Sequence, residues 1–253
     1  MLLNKKLFLA SPLIKISYII GGWRIFFNYG TLETIKYQRS NEMKKNYPAA
    51  PILPQRFASD FYLEDEASFE AVHGLEMDFS YLTCENLVIR HSILEKVTMQ
   101  RTKLIRFEAG NVVFKNCDFS NLEWIGGSFH QVVFENCKLT GCNFAESYLR
   151  DCHFKDSLIN FGSFSATNLK NVWFENCQLS DGEFFEVTWK HLFLEKNNLE
   201  NSNWQRTKLA GLDFTSNSFS KIACSMEQLK GLKVDSYQAL VIAAGLGLEI
   251  VEG

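Results

Sequence analysis

The sequence predicts an all-β solenoid, and three observations predict it. A large apolar residue recurs at every fifth position from Phe69 to Phe219, a smaller residue sits two places before it, and near copies of one segment return at multiples of twenty. A five-residue period fits neither the 3.6-residue helix nor the two-residue strand. It needs a turn in every unit, with two side chains facing in and three facing out.

Of the 31 central positions between Phe69 and Phe219, only Gly74, Cys84 and Ala109 are not large and apolar. The position two before each centre is Cys, Ser, Thr, Val or Gly in 17 of 22 cases between Val112 and Asn217. Asn111-Val-Val-Phe-Lys-Asn-Cys-Asp-Phe-Ser, Gln131-Val-Val-Phe-Glu-Asn-Cys-Lys-Leu-Thr and Asn171-Val-Trp-Phe-Glu-Asn-Cys-Gln-Leu-Ser carry the longer repeat. Four pentads therefore make one coil, and residues twenty apart stack, so that Phe114, Phe134, Phe154 and Phe174 form one aromatic column. At the strand spacing of ~4.8 Å, nearly eight coils make a rod roughly 35–40 Å long. Trp124, Trp189 and Trp204 are centres, which places them in the core.

Composition agrees. Hydrophobic residues make up 46% of 253, Phe occurs 22 times, and the four Pro all precede residue 55, leaving a long body without ordinary loop punctuation. Seven Cys without a CxxC pair point to a reduced, cytoplasmic setting. Cys117, Cys137, Cys142, Cys152 and Cys177 all take the small inward position, which reads as core filler rather than nucleophiles or ligands. Residues 1–42 read differently. Their charge-free windows reach eight residues, too short for a membrane helix. Lys5 and Lys6 ahead of an apolar run suggest a signal peptide, but no A-x-A-like site follows. Arg39-Ser40 can be encoded AGG-AGT, a ribosome-binding site ahead of Met43, so we read 1–42 as a translated leader or disordered segment. Without it the remaining chain carries 20 basic and 27 acidic side chains, a net −7.

Phe134-Glu-Asn-Cys-Lys-Leu-Thr-Gly-Cys-Asn-Phe144 resembles the pentapeptide-repeat family, whose unit is a small residue, a polar one, a central Leu or Phe and two polar ones. The resemblance covers about 67–224 and implies a right-handed quadrilateral β-helix. Such a rod needs capped ends. Residues 43–66 form the lead-in, with Tyr47-Pro-Ala-Ala-Pro-Ile-Leu-Pro-Gln55 extended because each Pro disfavours helix before it. In 225–253, Leu229–Val234 makes a last partial coil and Asp235-Ser-Tyr-Gln238 a capping box. A helix from Ser236 to Ala244 follows, apolar nearly all round and so expected to be buried on more than one side, with Leu248–Val251 as a further strand. This tail resembles that of the quinolone-resistance pentapeptide proteins. The resemblance implies a homodimer joined through the C-terminus, with Tyr237, Leu240, Val241, Ile242, Leu248 and Ile250 at the interface.

The five His show no paired-ligand spacing, and phosphate-loop, serine-elbow and Cys-His signatures are missing. We expect no enzyme, no cofactor, no metal, no membrane and no sequence-specific nucleic-acid binding. The outer columns carry the remaining information. Glu95, Lys115, Glu135, Lys155 and Glu175 alternate in sign, a pattern of stability. Asn116, Asn136, Asp156 and Asn176 fit a left-handed turn position. Two columns break the rule. Arg90, His130, Arg150, Lys170 and Lys190 stack like charges, a candidate anion-binding stripe unless Asp151 and Glu186 neutralise it. Glu123, Ile125, Glu146, Glu183, Phe185 and Glu186 mix acid and apolar groups on one face, which suits a protein partner or imitation of a DNA backbone. The resemblance implies a partner: DNA gyrase or topoisomerase IV, shielded from quinolone-type poisons. An interaction scaffold with an unrelated partner is the alternative.

Overall fold

A computed structural model describes residues 16–20, 23–27, 38–39 and 47–251. The chain divides into two compact units, Met1–Lys45 and Asn46–Gly253. In the first, strands Ile16–Ile20, Trp23–Phe27 and Gln38–Arg39 form an antiparallel sheet. The remainder of the segment read as a leader lies outside the described residues.

The second unit is a parallel β-solenoid of about eight coils with a helix at its C-terminal end. Eight-residue strands Val88–Glu95, Glu108–Lys115, Ser128–Glu135, Tyr148–Lys155, Asn168–Glu175 and Thr188–Glu195 stack in parallel with a register of twenty. The other sides of the coils are joined at the same register by single bridges, such as Glu123 to Asn143, and near the ends by three-residue pairs, Thr83–Glu85 with Lys103–Ile105 and Ser202–Trp204 with Ile222–Cys224.

The turn demanded by the five-residue period is a left-handed backbone position two residues after every centre. From Glu66 to Gly211 every such residue has positive φ, including Asn116, Asn136, Asp156 and Asn176 at 51–56°. Asn, Asp and Gly tolerate this conformation best. Phe161 adopts it at 58° while 64% exposed, which costs about 1–2 kcal/mol.

Inside, Phe114, Phe134, Phe154 and Phe174 stack at 5.0, 4.7 and 4.7 Å. A second column, Phe144, Phe164, Phe184 and Trp204, stacks at 5.0, 5.1 and 4.2 Å and meets the first edge-on at 85–90°. Both geometries suit the ring quadrupole. The small inward position has a role beyond volume, because its polar members donate to the carbonyl of the centre one coil back. Ser147 Oγ reaches Trp124 O at 2.8 Å, Thr167 Oγ1 reaches Phe144 O at 3.0 Å, and Cys142 Sγ reaches Phe119 O at 2.8 Å. Burial pushes the Cys152 and Cys177 thiols up to about 12 and the Cys142 thiol higher still, so these groups are inert donors.

Of the three Trp centres, Trp124 and Trp204 are buried but Trp189 is not. An indole N–H needs an acceptor. Trp204 finds Ser202 Oγ at 3.0 Å and Trp189, half-buried, donates to Lys208 O at 2.6 Å in the next coil, whereas the fully buried Trp124 has no partner for its N–H among the described residues.

The C-terminal end is closed by the helix Ser236–Gly245, whose Asp235 N-cap forms the expected capping box with Gln238. Gln238 is the helix's buried residue, and its Nε2 donates to Phe214 O and Asn217 O, each at 2.8 Å; Phe214 O also accepts from Asn217 N at 2.9 Å, so Asn217 O is the carbonyl for which Gln238 supplies the donor among the described residues. The helix is therefore buried on one side, not more than one. Val241 and Ile242 pack against the core, while Tyr237 and Leu240 are 60% and 50% exposed. Leu248–Val251 forms no strand, because no neighbouring backbone offers a ladder to it.

Candidate partner-binding surfaces

The acidic and apolar face lies around the second aromatic column. Bridges link Lys103, Glu123, Asn143, Ser163, Glu183 and Asn203 in one line, so Glu123 and Glu183 stand three coils apart, ~14 Å, on one side of the rod. The two faces differ in charge from what the sequence suggests. Lys103 Nζ pairs with Glu123 at 3.2 Å, and Arg206 pairs with Glu186 at 2.6 Å while lying 5.7 Å over the Phe185 ring. Asn203 donates to Glu183 at 2.8 Å. Among the described residues Glu146 and Glu183 have no ion-pair partner, and Ile125 is 45% exposed.

The basic stripe is assembled as read. Arg90, Gly110, His130, Arg150, Lys170 and Lys190 occupy one register line on successive strands. Asp151 partly neutralises it, accepting from Arg150 at 3.3 Å with His130 at 4.0 Å, and Glu108 pairs with Arg90 at 3.3 Å. Glu186 does not take part, since it faces Arg206. Among the described residues, Lys170 and Lys190 have no ion-pair partner. The alternating column Glu95 to Glu175 also stacks as expected, yet none of its neighbouring opposite charges approaches within 4.0 Å among the described residues. Instead His153 Nε2 meets Glu175 at 3.0 Å, and desolvation by burial holds the imidazole below the ordinary His range.

Sequence reasoning missed a third surface. The lead-in is a strap laid along the rod axis, over the corner between the basic stripe and the outward column Ile93, Val113, Val133, His153, Trp173 and Phe193. Ile52 N donates to Asn111 Oδ1 at 2.8 Å, Gln131 Nε2 donates to Ala50 O at 3.2 Å, Ala49 N donates to Asp151 Oδ1 at 3.3 Å, and Asn171 Nδ2 donates to Tyr47 O at 3.3 Å. Tyr47 packs against Trp173 and Phe193 with ring centroids at 4.6 and 5.6 Å. The available signal was the apolar character of an outward column, where a solvated face would be polar.

At the C-terminal end, Tyr237, Leu240, Leu248, Ile250 and Val251 are all exposed, an apolar apex beyond the cap. Of the residues expected at a dimer interface, Val241 and Ile242 are instead packed inward. Among the described residues there is no metal-binding group of His, Cys, Asp and Glu, and no helix is long and apolar enough to cross a membrane.

A coil of four pentads, a left-handed corner in each and an aromatic core define a pentapeptide-repeat β-helix. Residues 127–204 match the family described as pentapeptide repeat region, and the same beat continues on both sides of that match. No curated protein matches the chain. Solved structures that it resembles include a trypsin-treated form of QnrB1, a plasmid-mediated fluoroquinolone resistance protein, at 17% identity over 73% of this chain and 100% of that one, TM-score 0.34. Full-length QnrB1 is 14% identical over 76% of this chain and 100% of that one, TM-score 0.27. HetL from Nostoc sp. strain PCC 7120, a pentapeptide repeat protein involved in heterocyst differentiation regulation, is 9% identical over 60% and 78%, TM-score 0.20.

Proposed function

We propose that this protein is a non-enzymatic, cytoplasmic binding protein whose partner is a bacterial type II topoisomerase, DNA gyrase or topoisomerase IV, and that binding protects the enzyme from quinolone-type poisons. The observation that carries the reading is the C-terminal cap. The segment whose sequence is similar to quinolone-resistance pentapeptide proteins folds into a capping-box helix and leaves Tyr237, Leu240, Leu248 and Ile250 exposed beyond it. An exposed apolar patch of this kind suits a contact with a second copy. Two such rods end to end give an acidic body about 70–80 Å long, comparable to a segment of duplex, with Glu146, Glu183 and Ile125 presented on one side. That is the sense in which the face imitates a DNA backbone.

The test is a gyrase supercoiling assay with ciprofloxacin. The reading expects micromolar protein to restore supercoiling in the presence of drug, and Glu146→Lys with Glu183→Lys to weaken the rescue. Neither rescue nor inhibition of gyrase at that concentration sinks the proposal.

A further inference from the structure

We propose that the outward column from Ile93 to Phe193 is a groove for polyproline II segments, that the strap is its intramolecular occupant, and that its ligand in trans is an acidic Pro-x-x-Pro segment of a partner protein. The strap sequence is Pro48-Ala-Ala-Pro51-Ile-Leu-Pro54. Pro48, Pro51, Pro54 and then Phe57 are half-buried at a spacing of three, with Leu53 half-buried between them, while Ala49, Ala50, Ile52, Gln55 and Arg56 are exposed. Three residues per turn is the polyproline II period.

The repeat lengths also match. Asn171 holds the main chain at Tyr47 and Asn111 holds it at Ile52, five residues that cover ~15.5 Å in polyproline II. The corresponding three coils advance ~14.4 Å. One corner side chain per coil therefore meets the strap backbone, and these contacts read main chain rather than sequence. Trp173 and Phe193 supply the aromatic anchor at one end, as aromatic-lined Pro-rich grooves do.

Two groups in the groove are not satisfied by the strap. Trp173 Nε1 and Asn171 Oδ1 are buried without a hydrogen-bond partner. The Asn171 amide cannot be turned over to cure this, because its nitrogen donates to both Tyr47 O and Asp151 Oδ1. A ligand that offers a carbonyl to the indole and a donor to the amide oxygen has an advantage over the strap, since unmet buried groups are costly. Lys170 and Lys190 border the same end, and the strap from Tyr47 to Gln55 has no acidic residue to meet them. Acidic residues on the outward positions of a ligand would.

The experiment is fluorescence anisotropy with labelled ten-residue peptides on the full chain: the strap sequence Asn46–Gln55, the same peptide carrying Ala49→Glu and Ala50→Glu, and one with all three Pro changed to Ala. In Tyr47→Ala protein, where the occupant has lost its anchor, the acidic peptide should bind about five-fold tighter than in wild type, as expected when a competing occupant is released. It should bind about ten-fold tighter than the Pro-free peptide, which must be ordered first. Lys170→Ser with Lys190→Ser should abolish the preference for the acidic over the neutral peptide. Trp173→Phe, which keeps a ring and removes the N–H, should weaken binding about three-fold relative to the Trp protein in the same Tyr47→Ala background. No saturable binding to Tyr47→Ala protein that retains its β circular dichroism, or binding indifferent to Pro and to Trp173, overturns the proposal.

Discussion

Truncating one ring at the centre of the rod should cost more than truncating one at its end. Phe154 is fully buried, stacked at 4.7 Å on both Phe134 and Phe174 and edge-on at 5.8 and 5.9 Å to Phe144 and Phe164. A buried Phe→Ala change costs ~3–5 kcal/mol. Four ring pairs, each worth ~0.5–1.5 kcal/mol beyond area, place Phe154→Ala at the upper end of that range. Both neighbouring coils lose contacts, and a solenoid has no other route by which stability is carried past the break. Phe219, in the last full coil, has one ring contact, at 6.2 Å to Phe214, so Phe219→Ala should cost about half as much. Urea unfolding followed by far-ultraviolet circular dichroism reads the difference. With a slope of ~2 kcal/mol per molar, Phe154→Ala should lower the midpoint by about 2 M. A loss below about 1 kcal/mol, or one no larger than that of Phe219→Ala, would refute the stacked-column account.

Gln238→Ala should open the C-terminal end: Asn217 O loses its donor, at ~1–3 kcal/mol, while Phe214 O keeps the Asn217 N–H. Amide exchange across Ser236–Gly245 should then speed up at least about ten-fold, and unchanged protection would contradict the capping role. Phe161→Asn relieves a left-handed aromatic residue and should raise stability by about 1 kcal/mol, or roughly 2–4 °C in thermal midpoint, where a destabilised protein would count against it. His153 is held below its unfolded value of ~6.5 by burial, so the folded protein binds fewer protons there. The stability it gives is complete above that pH and is lost as the pH falls below it. His153→Gln should therefore shrink the fall in unfolding free energy between pH 7.5 and 5, and an identical pH dependence would remove His153 from the account.

The repeating interior was legible in the sequence because each inward position is decided locally and then repeated. A five-residue beat, a twenty-residue copy and a small donor residue specify columns before any coordinate is known. Asp235 and Gln238 were equally legible, since a capping box lies within four residues. The strap was not. Its contacts with Asn111, Gln131, Asp151 and Asn171 lie 59 to 124 residues away, and each is a single hydrogen bond that leaves no local pattern. The outer charges were half legible. Register placed Lys170 over Lys190, but which acid meets which base depends on long side chains. Arg206 reaches Glu186, while Lys115 reaches neither Glu95 nor Glu135 within 4.0 Å. Trp189 shows the limit of the inward rule: it is half-buried and donates to Lys208 O at the rim, while Trp124 at an equivalent position stays buried with its N–H unpaired among the described residues. The helix face beyond Gln238, with Tyr237 and Leu240, carried no pattern that separates a face left exposed from one packed on the coil.

The most direct measurement of the proposed role is binding of purified DNA gyrase to the immobilised full chain, alongside Glu146→Lys with Glu183→Lys and, separately, Lys170→Ser with Lys190→Ser. The account predicts saturable micromolar or tighter binding by the wild-type protein, weakened about ten-fold by the acidic-face pair and left intact by the lysine pair. Absence of binding by folded wild-type protein, or binding that ignores the acidic face, would contradict it.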